Sequence, residues 1–200
     1  MNDNRFTELK PLDDRAWLAL ATLHKEDEMR FVERVYKENY LTTEGSNVNE
    51  METTISKNMS VGGRGKKAVA LVNGTSAIHL AVKLAAEKIY GSATGISTPK
   101  GKGKGGALYG KRVFVSDMTF DASVNPVLYE GGEPVFIDSE YETWNMDSKA
   151  LRKAFSIYPD VKIVIFVHLY GVPGKINECK KICEEHGAIL IEDVQRDACT

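Results

Sequence analysis

The sequence predicts an α/β fold: three layers, with a mostly parallel sheet covered by helices on both faces. Three observations predict it. Largely apolar runs of strand length recur at Val113–Val115, Pro134–Asp138, Val161–Val167 and Ala188–Glu192, the second and the last ending in an acid. Segments with helical spacing lie between them, and alternation of this kind builds parallel sheets, because parallel neighbours need a crossover. The 200 residues suffice for one domain with a real core, and no internal repeat argues for a solenoid.

The elements follow in chain order. Residues 1–25 read as a polar lead-in. Glu26–Asn39 carries Met29, Val32, Val35 and Tyr36 at helical spacing. Leu41–Gly45 is a turn, and Val48–Met59 a second helix. A basic glycine-rich loop, Val61–Lys67, leads into Ala68–Val72, which reads as a buried strand. Asn73-Gly74 turns the chain, and Thr75-Ser76 opens a helix whose apolar line is Ile78, Val82, Ala85 and Ile89. Gly91–Gly110, rich in Gly and Lys, reads as a flexible insertion. Phe120–Tyr129 reads as a helix kinked or restarted at Pro126. Asp147 caps a helix bearing Leu151, Ala154 and Phe155. Lys175–His186 forms the last helix, closed by Gly187.

Composition excludes several classes. Net charge is -2, so no basic footprint points to nucleic acid. No apolar run reaches membrane-spanning length. The polar N-terminus has no signal-peptide core, and three cysteines make no disulfide framework, so the expectation is cytoplasmic. Gly105 and Gly110-Lys111 imitate a phosphate-binding loop. Arg112 replaces the required Ser or Thr, however, and a strand follows instead of a helix. No G-x-G-x-x-G follows the first strand, which argues against a dinucleotide site.

Ligands in such sheets bind beyond the carboxyl ends of the strands. That rule selects Gly74, Thr75 and Ser76, the Asp117–Phe120 turn, His168–Gly171 and Asp193. A helix start behind glycine offers free N–H groups and a positive dipole end to a phosphate. The same residues also make an ordinary helix cap. Phe120 is by residue type more often a core residue than an aromatic plate. His168 is the more natural partner of backbone. Asp193 follows four strand residues and wants a cation. Cys179 and Cys183 suit core packing better than a metal, since nothing else completes a ligand set.

Three blocks carry a family resemblance: GTSAIHLAVKLAA, SDMTFDASVNPVLYEGGEPVFIDSEYETWNMD and VHLYGVPGKINECKKICEEHGAILIED. Together they resemble the DegT/DnrJ/EryC1/StrS family of pyridoxal-phosphate-dependent sugar aminotransferases, over roughly Glu26 to Asp193. The resemblance implies the large domain of an aspartate aminotransferase-like fold (PLP fold type I), here incomplete, spanning 26–200. It implies that Gly74, Thr75 and Ser76 hold the cofactor phosphate. Phe120 then stacks on the pyridine ring, and Asp193 pairs with the ring nitrogen. The implied substrates are a nucleotide-linked keto-sugar and an amino donor, typically glutamate, handled by a homodimer in polysaccharide or glycan synthesis.

Two departures matter. Gln195 and Arg196 follow Asp193 where a small and a different polar residue are usual. No lysine matches the family's Schiff-base lysine, so no catalytic residue is expected in this chain. The expectation is therefore a truncated or frame-shifted N-terminal piece, inactive alone. The competing expectation is a non-catalytic binding protein that holds a phosphate ligand or pairs with an intact subunit.

Overall fold

Alternating burial along the strands decides the architecture. In the computed structural model, which describes residues 25–59, 67–91 and 106–194, four strands form one parallel sheet. They are β1 (Arg112–Ser116), β2 (Glu133–Ile137), β3 (Ile163–Val167) and β4 (Ile189–Asp193), in the order β2-β1-β3-β4. Successive side chains of a strand point to opposite faces. Val113, Val115, Ile163 and Ile165 therefore fill one core, while Phe114, Val164 and Phe166 fill another. β3 is buried along its whole length, as a central parallel strand should be.

Each core is closed by its own helices. On one face lie α3 (Gly74–Tyr90), through Ile78, Val82, Ala85 and Ala86, and α4 (Asn125–Tyr129), through Val127. On the other lie α5 (Ser148–Ile157), through Leu151 and Phe155, and α6 (Ile176–Glu185), through Cys179, Ile182 and Cys183. The rings of Phe114 and Phe155 meet edge to face, 4.9 Å between centroids. Asp147 caps α5 by accepting the Lys149 N–H at 2.9 Å. Gly187, with φ 61°, supplies the left-handed residue that ends α6.

The chain forms two compact units, 1–70 and 71–200. The first holds α1 (Lys25–Glu38) and α2 (Ser46–Met59), joined by an Arg34–Glu50 ion pair at 2.9 Å. The second holds the sheet.

Four expectations are corrected or bounded. Ala68–Val72 is not a strand, and Val69 and Val72 are 68% and 87% exposed. No described strand lies beside it; the Ala68 and Ala70 N–H groups donate to Ser56 Oγ and Glu52 Oε1 instead. Apolar character without a ladder partner does not make a strand. Phe120–Tyr129 is not one helix but a 3-10 turn at Asp121–Ser123 followed by α4. Pro126 has no N–H to give, so the helix restarts around it. Of the expected flexible insertion, 106–110 is a fixed turn: Leu108 is fully buried and its N–H donates to the Glu130 carbonyl at 2.9 Å. Residues 92–105, the lead-in, most of the 61–67 loop and the Gln195-Arg196 departure lie outside the described residues.

Candidate functional site

The carboxyl ends of four parallel strands meet at one edge of the sheet, and the start of α3 lies at that edge too. Two contacts at the other end of α3 fix its direction. The Lys111 ammonium, just before β1, sits 4.8 Å from the centre of the Tyr90 ring. Asp160, just before β3, acts on the same tyrosine and, with burial as the larger cause, raises its pKa. The end of α3 thus lies at the beginning of the strands, and its start at their ends.

That start is capped and open. Asn73 caps it, accepting the Ser76 N–H at 2.8 Å. The Thr75 and Ser76 hydroxyls make no hydrogen bond among the described residues. A Cβ built on Gly74 would meet nothing within 4 Å, so the space before this first turn is open. Both hydroxyl residues are half-buried and α3 packs against β4 and the 3-10 turn.

The turn after β1 crosses over the end of β3 to reach β4. Its Ser123 donates to Asp193 Oδ2 at 2.6 Å, and Thr119 donates to Ser123 Oγ at 2.9 Å. Asp193 is only 7% exposed, and its backbone is held in the sheet by the His168 N–H donating to its carbonyl at 3.0 Å. Its second oxygen, Oδ1, has no partner, and no cation pairs with it, among the described residues. A half-satisfied buried carboxylate is a cation acceptor by construction. Phe120, in the same turn, is 68% exposed: its ring is not in the core, although phenylalanine usually is.

His168 is fully used by its surroundings. Nδ1 accepts the Gly174 N–H at 3.0 Å, so Nε2 carries the proton and faces Glu192 Oε1 at 2.8 Å. Gly174 admits no side chain here, since a Cβ would lie 2.6 Å from the Phe166 ring and 2.7 Å from Asn145 Cβ. Asn145, fully buried, ties this stretch to the next loop: its Oδ1 accepts the Leu169 N–H at 2.7 Å and its Nδ2 donates to the Val172 carbonyl at 2.9 Å. Cys179 and Cys183 are free thiols pushed up to about 12 by burial, so neither is a ready nucleophile. No metal-binding group occurs among the described residues.

Beyond β1 and β2 opens a cleft of about 660 Å³ lined by Asp117, Asp138, Glu140, Trp144 and Lys175 among others. Burial opposes ionisation of Glu140, but the Thr143 hydroxyl and the N–H groups of Glu142 and Thr143, with Lys175, outweigh it and hold the carboxyl at about 2. A wall so acidic repels a diphosphate.

Sequence reasoning selected Thr119 only as part of the Asp117–Phe120 turn and passed over Ser123 and Asn145. Thr119 and Ser123 are four residues apart, one turn, which is the only local signal of their contact. Asn145 had none.

Residues 22–197 match the DegT/DnrJ/EryC1/StrS aminotransferase family. The chain belongs to that family. A Bacillus subtilis (strain 168) protein named for a pyridoxal phosphate-dependent aminotransferase activity, EpsN, is 34% identical over 172 residues. That alignment covers 83% of this chain and 38% of the relative. GDP-perosamine synthase of Escherichia coli O157:H7 is 28% identical over 166 residues, again 83% of this chain and 38% of the relative. Among solved structures, a variant of GDP-4-keto-6-deoxymannose-3-dehydratase with bound GDP-perosamine superposes with a TM-score of 0.66. It is 25% identical and covers 88% of this chain and 40% of that one. The chain thus spans 38% of the length of the curated relatives named here. The partial three-layer α/β sheet is shared with solved structures such as 3-amino-5-hydroxybenzoic acid synthase, at a TM-score of 0.65. The family is pyridoxal-phosphate-dependent.

Proposed function

We propose that this chain carries the cofactor-holding region of a pyridoxal-phosphate-dependent aminotransferase acting on nucleotide-linked keto-sugars. The observation that carries it is Asp193: a buried carboxylate at a strand end with one oxygen occupied by Ser123, the other open, and no cation beside it among the described residues. The donor set fits the cofactor. Unused hydroxyls and a helix start behind an open glycine suit its phosphate, the exposed Phe120 ring suits its heterocycle, and Asp193 suits a protonated ring nitrogen. When bound, pyridoxal phosphate supplies an electron sink for transfer of an amino group.

The protein's own part is to bind and orient. Thr75 and Ser76, with the free N–H groups of the first turn, hold the phosphate by hydrogen bonds and the helix dipole. Phe120 fixes the plane of the ring. Asp193 holds a proton on the ring nitrogen through charge pairing. The sugar class comes from the family and from relatives named for GDP-perosamine and dTDP-amino-sugar synthesis. Glutamate as donor, a homodimer and a cytoplasmic, polysaccharide- or glycan-building role complete the reading.

The test is calorimetric titration with pyridoxamine 5'-phosphate, which has no aldehyde and so cannot attach to surface lysines. Saturable one-to-one binding, weakened at least tenfold or so in Asp193→Asn, is the expected result, as for a lost bond to a charged group. Binding indifferent to that change overturns the reading. The substrate class is tested in the gene product as the cell makes it, by glutamate-dependent amination of nucleotide-linked against free keto-sugars.

A further inference from the structure

We propose that Ser123, backed by Thr119, is the positioning residue that turns the Asp193 carboxylate toward the ring nitrogen of the cofactor; this rests on the reading of the site given above.

The sheet fixes the backbone of Asp193 but not its carboxylate. β3 and β4 pair Val167 with Asp193, and the Asp193 carbonyl accepts from His168. The terminal torsion of an aspartate is broad and nearly two-fold, so the backbone leaves its two oxygens free to exchange places or to tilt. The Ser123 bond at 2.6 Å removes that freedom by holding Oδ2 and leaving Oδ1 without a partner among the described residues. Thr119 in turn supports Ser123: its hydroxyl lies 2.9 Å from Ser123 Oγ and 3.2 Å from the Phe120 carbonyl, and Ser123, whose own proton goes to Asp193, is left to accept from it. Ser123 is fully buried, which shields the pair from water.

The chemistry of the donor matters as much as its place. An arginine or lysine at 123 would also orient the carboxylate, but its charge would compete with the pyridinium. A neutral hydroxyl orients without neutralising. The same short turn carries Phe120 between Thr119 and Ser123, so the ring plate and the carboxylate are set by one piece of backbone. Ser123 touches no cofactor atom; it acts through Asp193.

The experiment compares pyridoxamine 5'-phosphate with its carbocyclic analogue, in which C–H replaces the ring nitrogen. Both carry the phosphate and the stacking face, and only the first can pair with Asp193. The purified chain should prefer the nitrogen compound by about tenfold, the worth of one bond to a charged group. Ser123→Ala should cut that preference by about fivefold while leaving affinity for the analogue within twofold. Thr119→Val should cut it by about twofold, in the same direction, and it decides the matter if Ser123→Ala does not fold by circular dichroism. A variant that loses both ligands equally has lost structure only, and overturns the proposal. A variant that keeps the full preference overturns it too, while the reading of the site stands. If the unaltered chain shows no preference, the site reading falls and the proposal falls with it.

Discussion

Two buried carboxylates stand at different places on the sheet domain, and they are used in opposite ways. Glu130, after α4, is satisfied on both oxygens. His79 Nε2 lies 2.6 Å and Lys83 Nζ 3.0 Å from Oε1, while the Ala107 N–H donates to Oε2 at 2.8 Å. Asp193 has one neutral donor and an open oxygen. Both are under a tenth exposed. Glu130 ties α3, α4 and the 106–110 turn together and has nothing left to offer a ligand. Asp193 keeps an oxygen that no partner fills among the described residues. Burial of a charge is therefore not what marks a binding group; incomplete pairing is.

The comparison breaks most easily at Glu130. Glu130→Ala should cost about 2–4 kcal/mol in a urea titration, because it leaves His79, Lys83 and the Ala107 N–H without their shared acceptor. Asp193→Asn should change stability by less than about 1 kcal/mol, since Ser123 keeps an oxygen to donate to. Equal losses at the two sites would end the distinction.

Acid sharpens it. Burial works against the charge of Glu130, but the Ala107 N–H, His79 and Lys83 outweigh burial and bring the carboxyl from 4.5 down to about 2. A folded-state pKa below the unfolded one gives stability that is present above pH 4.5 and lost as pH falls toward 2. Urea midpoints measured across that window should drop in the unaltered protein and drop less in Glu130→Gln.

Asp193 is tested on the binding side. Asp193→Asn should weaken pyridoxamine 5'-phosphate about tenfold or more by calorimetry, whereas Glu130→Gln, if folded, should weaken it less than about twofold. The smallest effect is expected at the helix start. Gly74→Val should fold with a stability change under about 1 kcal/mol, because its side chain meets open space. It should still lower phosphate-ester affinity about threefold to fivefold by occupying the anion's approach. A Gly74→Val protein that binds as before would mean the phosphate sits elsewhere.

Much of the scaffold was legible because periodic burial is written locally. The continuous apolar runs of β1 and β3, the Asp147 cap and the Gly187 stop are decided within a few residues. Where a local signal was ambiguous, packing settled it. Phe120 looks like a core residue by type, and only the turn it sits in leaves it exposed. Ala68–Val72 looks like Ile163–Val167 by composition, yet one has ladder neighbours and the other has none among the described residues.

The sequence by itself determined the α/β class, the family, and which residue types stand at the start of α3, in the turn after β1 and at the end of β4: Thr75 and Ser76, Phe120, Asp193. These follow from spacing and motif, which act along the chain. The tertiary structure alone decided that Ser123 reaches across β3 to Asp193, seventy residues away. It alone decided that Glu130 is saturated by groups from α3 and the 106–110 turn while Asp193 is not. A carboxylate's partners come from distant parts of the chain, and hydrogen bonds act only within about 3 Å, so no pattern along the sequence can count them.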